Sequence, residues 1–335
     1  MIRTIRILAF GICLGAPAVA LGDTLKPRVD GEWWPVAANP DLGEYTSDKQ
    51  QPVDFAIWQA TDGTWQIWSC IRHTKCGGHT RLFHRWEGKR LTDSHWKPMG
   101  IAMEADPALG ESKGGLQAPY VFKEEGRYYM VYGDWQRICL ATSEDGKSFT
   151  RVLNHRGQPD LFSGPYENSR DPMMLKIGDL FHCYYMGHKK GAEYQSAVFC
   201  RTSHDLKAWS EPMMVSAGGV AAAHTNWFGG DAECPFVVQK DGLFYLFRNQ
   251  LYGRNNLNTQ YASPNPLSFG VGDDRCRIGQ TAAVGADQKC RPIFFNQGGV
   301  QRLHSLFGAL IIIRHRLKLH HRPIRENNTL CIHLF

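Results

Sequence analysis

Asp171-Pro172-Met173-Met174-Leu175, a turn at Gly178-Asp179, and Phe181-His182-Cys183-Tyr184-Tyr185 form the stretch on which the fold turns. It reads as a short apolar strand opened at a proline, a glycine-centred turn, and an aromatic strand running back. The same unit recurs. An earlier copy is Ala118-Pro119-Tyr120-Val121-Phe122, Gly126 and Tyr128-Tyr129-Met130-Val131-Tyr132. A later one is Cys234-Pro235-Phe236-Val237-Val238, Asp241-Gly242 and Phe244-Tyr245-Leu246-Phe247. The first is Asp54-Phe55-Ala56-Ile57-Trp58, Asp62-Gly63 and Trp65-Gln66-Ile67-Trp68. Matched second positions lie 64, 53 and 63 residues apart.

A second element follows each hairpin. Ala141-Thr142-Ser143-Glu144-Asp145-Gly146-Lys147-Ser148-Phe149-Thr150 aligns with Arg201-Thr202-Ser203-His204-Asp205-Leu206-Lys207-Ala208-Trp209-Ser210. A worn copy runs from Ala262 to Phe269, and Leu82-Phe83-His84-Arg85-Trp86 is a looser counterpart. This reads as strand, tight turn, strand, so each unit is four strands, the signature of a β-propeller blade. The expected fold is therefore an all-β, five-bladed propeller. Its fifth blade is due near residue 295, where Arg291-Pro292-Ile293-Phe294-Phe295-Asn296-Gln297-Gly298 resembles a first strand and turn. No aromatic strand follows, so that blade is read as incomplete or aberrant.

Hydrophobic residues make up 43% of the 335-residue chain and charged residues 21%, which excludes wholesale disorder. The net charge of +6 comes from the two ends; residues 23–287 hold 28 basic and 31 acidic side chains. A nucleic-acid-binding core is not expected. Residues 1–22 combine Arg3 and Arg6, an apolar run and a small-residue Ala18-Val19-Ala20 site. They read as a signal peptide, too short in its apolar part to span a bilayer of about 20 residues. The expected location is secreted or periplasmic, with no membrane span. Ten cysteines, Cys13 among them, show no CxxC spacing, so no disulfide or zinc framework follows. Residues 288–335 form a basic tail with no Asp or Glu before Glu326. It reads as a basic amphipathic helix, a histidine-rich metal tract, or a stretch translated out of frame. The third is preferred because the pattern breaks where a repeat is due.

In a propeller the innermost strand of each blade lines the central channel, so residues at the strand starts converge on one mouth. At those starts stand Asp54, Ala118, Asp171 and Cys234, with Glu233 just before the last. Carboxylates from three blades thus point to one volume, a costly arrangement unless it is wet or functional. Such a set suits cleavage of an acetal: one acid protonated to serve the leaving oxygen, one ionised to attack or to activate water, one to steady positive charge. No metal or other cofactor is required for this.

Arg170-Asp171-Pro172 and Glu233-Cys234-Pro235 resemble the Arg-Asp-Pro and Glu-Cys-Pro motifs of the five-bladed propeller glycoside hydrolases of family 32. The Asp-led hairpins and Thr-Ser-x-Asp turns also resemble family 43. The resemblance spans about residues 50–275; the first blade departs from family 32, carrying Val53-Asp54-Phe55-Ala56-Ile57. It implies a carbohydrate substrate, with Asp171 as transition-state stabiliser, Glu233 as general acid and Asp54 as nucleophile or general base. Candidate sugar contacts are Trp135 and Trp227 on loops, with Trp58 a weaker one. Arg170, Asp134 and His224 are further candidates for binding substrate or holding the acids. The competing expectation is a catalytically silent propeller that binds carbohydrate or protein, since fold alone decides nothing.

Overall fold

The structure is a computed structural model that describes residues 24–25, 34–219, 232–250, 257–272, 276–282 and 329–332. Strand β1 (Trp34–Ala38) precedes the first blade, β2 (Gln51–Gln59), β3 (Trp65–Arg72), β4 (Leu82–Gly88) and β5 (Lys97–Met103). The second blade is β6 (Gln117–Glu124), β7 (Arg127–Gly133), β8 (Arg137–Ser143) and β10 (Asp160–Ser163), with the short β9 (Thr150–Arg151) also paired to β8. The third is β11 (Asn168–Ile177), β12 (Leu180–His188), β13 (Ser196–Ser203) and β14 (Met213–Ala217). The fourth is β15 (Glu233–Lys240), β16 (Leu243–Gln250), β17 (Leu257–Ser263) and β18 (Arg277–Ala282). All four are antiparallel meanders in sequence order.

Turn chemistry sets the hairpins. Glu125-Gly126 and Asp241-Gly242 are two-residue links in which both residues have positive φ. That turn twists with the strands it joins, which is why glycine recurs there. Along the aromatic strands, alternate residues feed opposite interfaces. In β7, Tyr128, Met130 and Tyr132 pack with Trp58, Trp68 and Phe83 of the first blade, whereas Val131 packs with Phe181 and Tyr185 of the third. In β12, Tyr184 faces Val237 and Leu246 of the fourth. Burying an aromatic or large aliphatic side chain contributes roughly 1.5–3 kcal/mol, so the layers between blades hold the sheets face to face. Trp58 belongs to such a layer: it is buried, and its Nε1 donates to Gly146 O at 2.7 Å. It is a core residue.

The expected number of blades needs correction. Among the described residues there are four blades, three of four strands and one of five, and a fifth blade is absent. What stands beside the first blade is a two-stranded sheet in which β1 pairs with β19 (Thr329–Ile332). Val36 and Ala37 of β1 pack on Trp65, Ile67 and Trp86. A strand pair needs further strands or a packed layer to be stable, and here the first blade provides that layer. The residues expected to start a fifth blade, 291–298, lie outside the described residues, as do the expected signal peptide and most of the tail. Among the described residues the seven cysteines form no disulfide; Cys70, Cys139, Cys183 and Cys200 are buried like small hydrophobes. Among the described residues, no helix is long and apolar enough to cross a membrane.

Candidate active site

Each of the four inner strands breaks register at the same point. The shifts fall between Val53 and Phe55, Gln117 and Tyr120, Arg170 and Met173, and Glu233 and Phe236. At each break one residue other than glycine has positive φ: Asp54 (39°), Ala118 (43°), Asp171 (53°) and Cys234 (51°). Such residues are uncommon and carry strain, and four at matched positions mark a built feature. A bulge bends its strand and re-aims the side chain. It also accommodates Pro119, Pro172 and Pro235, which cannot donate to the ladder.

The bulges bring residues from remote parts of the chain together. Cys234 donates its backbone N–H to Asp171 Oδ2 at 3.1 Å, and its Sγ lies 3.2 Å from the same oxygen. The thiol is 4.0 Å from Asp54 Oδ1, so the oxygens of Asp54 and Asp171 are separated by no more than those two sulfur contacts together. One ligand atom each from Asp171, Glu233 and Cys234 lies within 4.8 Å of the others. Asp171 is 5% exposed and Glu233 2%; Asp54 and Cys234 are half-buried. The three expected acids therefore share one mouth. Two carboxylates and a thiolate at this spacing are also donors of a kind that a divalent cation accepts.

Equivalent positions on neighbouring blades pair with each other. Asp171 and Cys234 occupy the bulge, while Arg170 and Glu233 sit one residue earlier, and Arg170 Nη2 bonds Glu233 Oε1. The other arm of the guanidinium donates to Asn168 Oδ1 at 2.8 Å. His188, paired with Asn168 across β11 and β12, is buried behind them. Burial, reinforced by Arg170 and opposed by Glu233, pushes its pKa down to about 4, so it is neutral near pH 7. Asn168 and His188 carry no motif that singles them out in the sequence, and Cys234 is marked there only by its place at a strand start.

The remaining candidates separate. Gly133 ends β7 against the start of β11: a Cβ there would lie 3.3 Å from Arg170 Cα. This close approach sets the loop that begins with Asp134 beside the mouth. Asp134 is fully buried and bonded to Arg137 at 2.6 Å, and it also accepts from the Arg137 amide. Burial pushes its pKa up, against the pull of Arg137. Trp135 has φ 83° and is half-buried. His79 stacks on its ring at 3.8 Å, and Arg81 lies 4.8 Å from the ring centre. His224 and Trp227 lie outside the described residues.

No protein-family model and no curated protein matches the chain. Solved structures do. A thermostable family-43 glycoside hydrolase aligns over 76% of this chain and 78% of its own, with 16% identity and a TM-score of 0.54. The endo-arabinase of Bacteroides thetaiotaomicron aligns over 68% and 81%, with 15% identity and a TM-score of 0.50. An α-L-arabinanase of Penicillium chrysogenum, complexed with arabinobiose, aligns over 77% and 73%, with 12% identity and a TM-score of 0.50. The chain has the β-propeller fold found in family-43 and related glycoside hydrolases.

Proposed function

We propose that this protein is a glycoside hydrolase of the family-43 type, exported from the cell, which cleaves an O-glycosidic bond of an oligo- or polysaccharide at the mouth formed by Asp54, Asp171 and Glu233. The gathering of Asp171, Glu233 and Cys234 within 4.8 Å, with Asp54 against the same thiol, carries this reading. Glu233 gives a proton to the departing oxygen as the bond from the anomeric carbon breaks. Positive charge then develops on the sugar ring, and Asp171, held by two contacts from Cys234, faces it. Asp54 attacks the anomeric carbon or takes a proton from the water that does. The solved structures that share the fold include an endo-arabinase and an α-L-arabinanase complexed with arabinobiose, so arabinofuranosides head the substrates to try.

One observation favours the silent carbohydrate-binding alternative. Glu233 is engaged by Arg170, and a general acid must release that guanidinium before it can hand over a proton. Substrate contacts that draw Arg170 towards a sugar hydroxyl would free it, since such bonds often rearrange only in the complex. Hydrolysis of a panel of chromogenic arabinofuranosides, xylosides and fructosides decides between the two. Turnover by the wild type that Glu233→Gln abolishes supports the enzyme. Equal, zero turnover by both proteins, together with retained sugar binding, supports the binder. Secretion is tested by fusing residues 1–22 to a reporter and assaying its export.

A further inference from the structure

Where the connections of the first blade meet the segment leading into the second lies a cleft of about 390 Å³ whose charged lining is Lys75, Arg81, Lys113 and Glu104. Two connections build it. The segment 73–81 leaves β3 at Arg72, which pairs with Gln51, three residues or about 10 Å of strand from Asp54. The segment 104–116 runs into β6 one residue before the bulge of the second blade at Ala118. His79 N–H donates to Lys113 O and Arg81 N–H to Gly114 O, both at 2.9 Å. The two backbones approach so closely that a Cβ on Gly78 would meet Lys113 O at 2.0 Å. The rim is thus a fixed part of the fold.

Its charge is lopsided. Among the described residues, no carboxylate lies within ion-pair distance of Lys75, Arg81 or Lys113, although pairs of this kind occur widely elsewhere on the surface. Glu104, the one acid of the lining, faces Tyr45, whose hydroxyl pKa it pushes up. His73 and His79, on the same segment, are pushed down by burial and then by neighbouring cations, Arg81 in both cases. The guanidinium of Arg81 is further anchored over the ring of Trp135. Three unneutralised cations around a concave, pre-formed cleft attract an anion and steer it there.

We propose that this cleft binds the carboxylate of a uronic-acid residue, so that the substrate is an acidic, uronate-bearing glycan. This rests on the glycosidase reading for its choice of anion. Through Arg72 and Gln51 the segment that lines the cleft joins the strand that carries Asp54, so a glycan long enough to bridge the two would engage both. An inorganic anion such as phosphate has the same charge chemistry, and the test separates the two.

Calorimetry on the full chain would use two pairs, each an acidic glycan with a neutral counterpart: trigalacturonate with its methyl ester, and glucuronate-substituted xylotriose with xylotriose. Inorganic phosphate is the third arm. At low salt the acidic member of at least one pair binds about 10-fold more tightly than its neutral counterpart. That preference falls to about 2-fold or less in Lys75→Gln/Lys113→Gln and at 0.5 M NaCl, as screened cation–carboxylate contacts require. The inference is overturned if acidic and neutral members bind alike or not at all, or if the double variant keeps the preference. It is equally overturned if phosphate binds as tightly as the uronates and competes with them. Turnover plays no part in this readout. A protein that hydrolyses no glycoside yet shows the charge preference loses only the glycosidase reading. One that cleaves neutral glycosides without the preference loses only the uronate cleft.

Discussion

Aspartates stand at two places of the repeat, the inner-strand bulge (Asp54, Asp171) and the outer turn (Asp145, Asp205), and the two places use them differently. In the outer turns Asp145 accepts from the amides of Lys147 and Ser148 and from Ser143 Oγ, and Asp205 does the same with Lys207, Ala208 and Ser203. Every partner is within three residues. Against its burial, those amides hold Asp145 below the usual carboxylate range. At the channel mouth the donor to Asp171 comes from Cys234, 63 residues away, and Glu233 faces Arg170 over the same separation. A turn aspartate completes its own backbone; a mouth aspartate is held by the neighbouring blade. The first kind holds a turn closed, and the second joins one blade to the next.

The contrast has measurable consequences. Substituting Glu233→Gln or Asp171→Asn should cost about 10²–10⁴-fold in kcat/KM on any glycoside that the wild type cleaves, with an unchanged circular dichroism spectrum. A loss below 10-fold would place the mouth acids with the turn acids. Low pH should weaken the fold next. His84 and His188, both pushed down to about 4 chiefly by burial, stay neutral in the folded state while the unfolded chain takes up protons below about 6.5. Folding stability that is full above pH 6.5 is therefore lost on descending towards 4. Each histidine contributes a slope of up to about 1.4 kcal/mol per pH unit. Urea titrations across that range check the sign, and His84→Phe should flatten the slope.

Cys234 offers a finer cut. Cys234→Ala removes one of the two contacts on Asp171 and should lower kcat/KM about 10-fold, the scale of a hydrogen bond to a charged group; Cys234→Ser should restore most of it. Equal losses in both variants would mean that the thiol only fills space. The smallest effect belongs to the outer turn. Asp145→Ala should cost about 1 kcal/mol of stability through lost turn hydrogen bonds and leave kcat/KM unchanged. A change in kcat/KM would erase the distinction drawn between the two places.

Much of this was legible from the chain alone. The four hairpins, the Gly-centred turns and the Ser-x-Asp elements are local patterns, and the structure realises each as a strand pair or turn where the repeats put it. Asp54, Asp171 and Glu233 could be singled out because they fall at one register position or the residue before it. Among the described residues the blades number four rather than five: the residues due to form the fifth lie outside them, and the one described strand of the tail, Thr329–Ile332, pairs with β1. The left-handed bulges were invisible: Asp54, Ala118, Asp171 and Cys234 share no residue type that demands positive φ. Nor could Arg170 be assigned between a sugar hydroxyl and Asp171. The structure pairs it with Glu233, on a different strand and blade.

By itself the sequence determined that this chain forms radial, aromatic-rich blades, because alternation with period two and turn chemistry act over a few residues. Tertiary structure decided which polar groups meet: Cys234 with Asp171, Arg170 with Glu233, and His188 buried neutral behind them. Those outcomes depend on how far each bulge turns its side chain and how closely one inner strand approaches the next. Neither distance is encoded in any window of neighbouring residues.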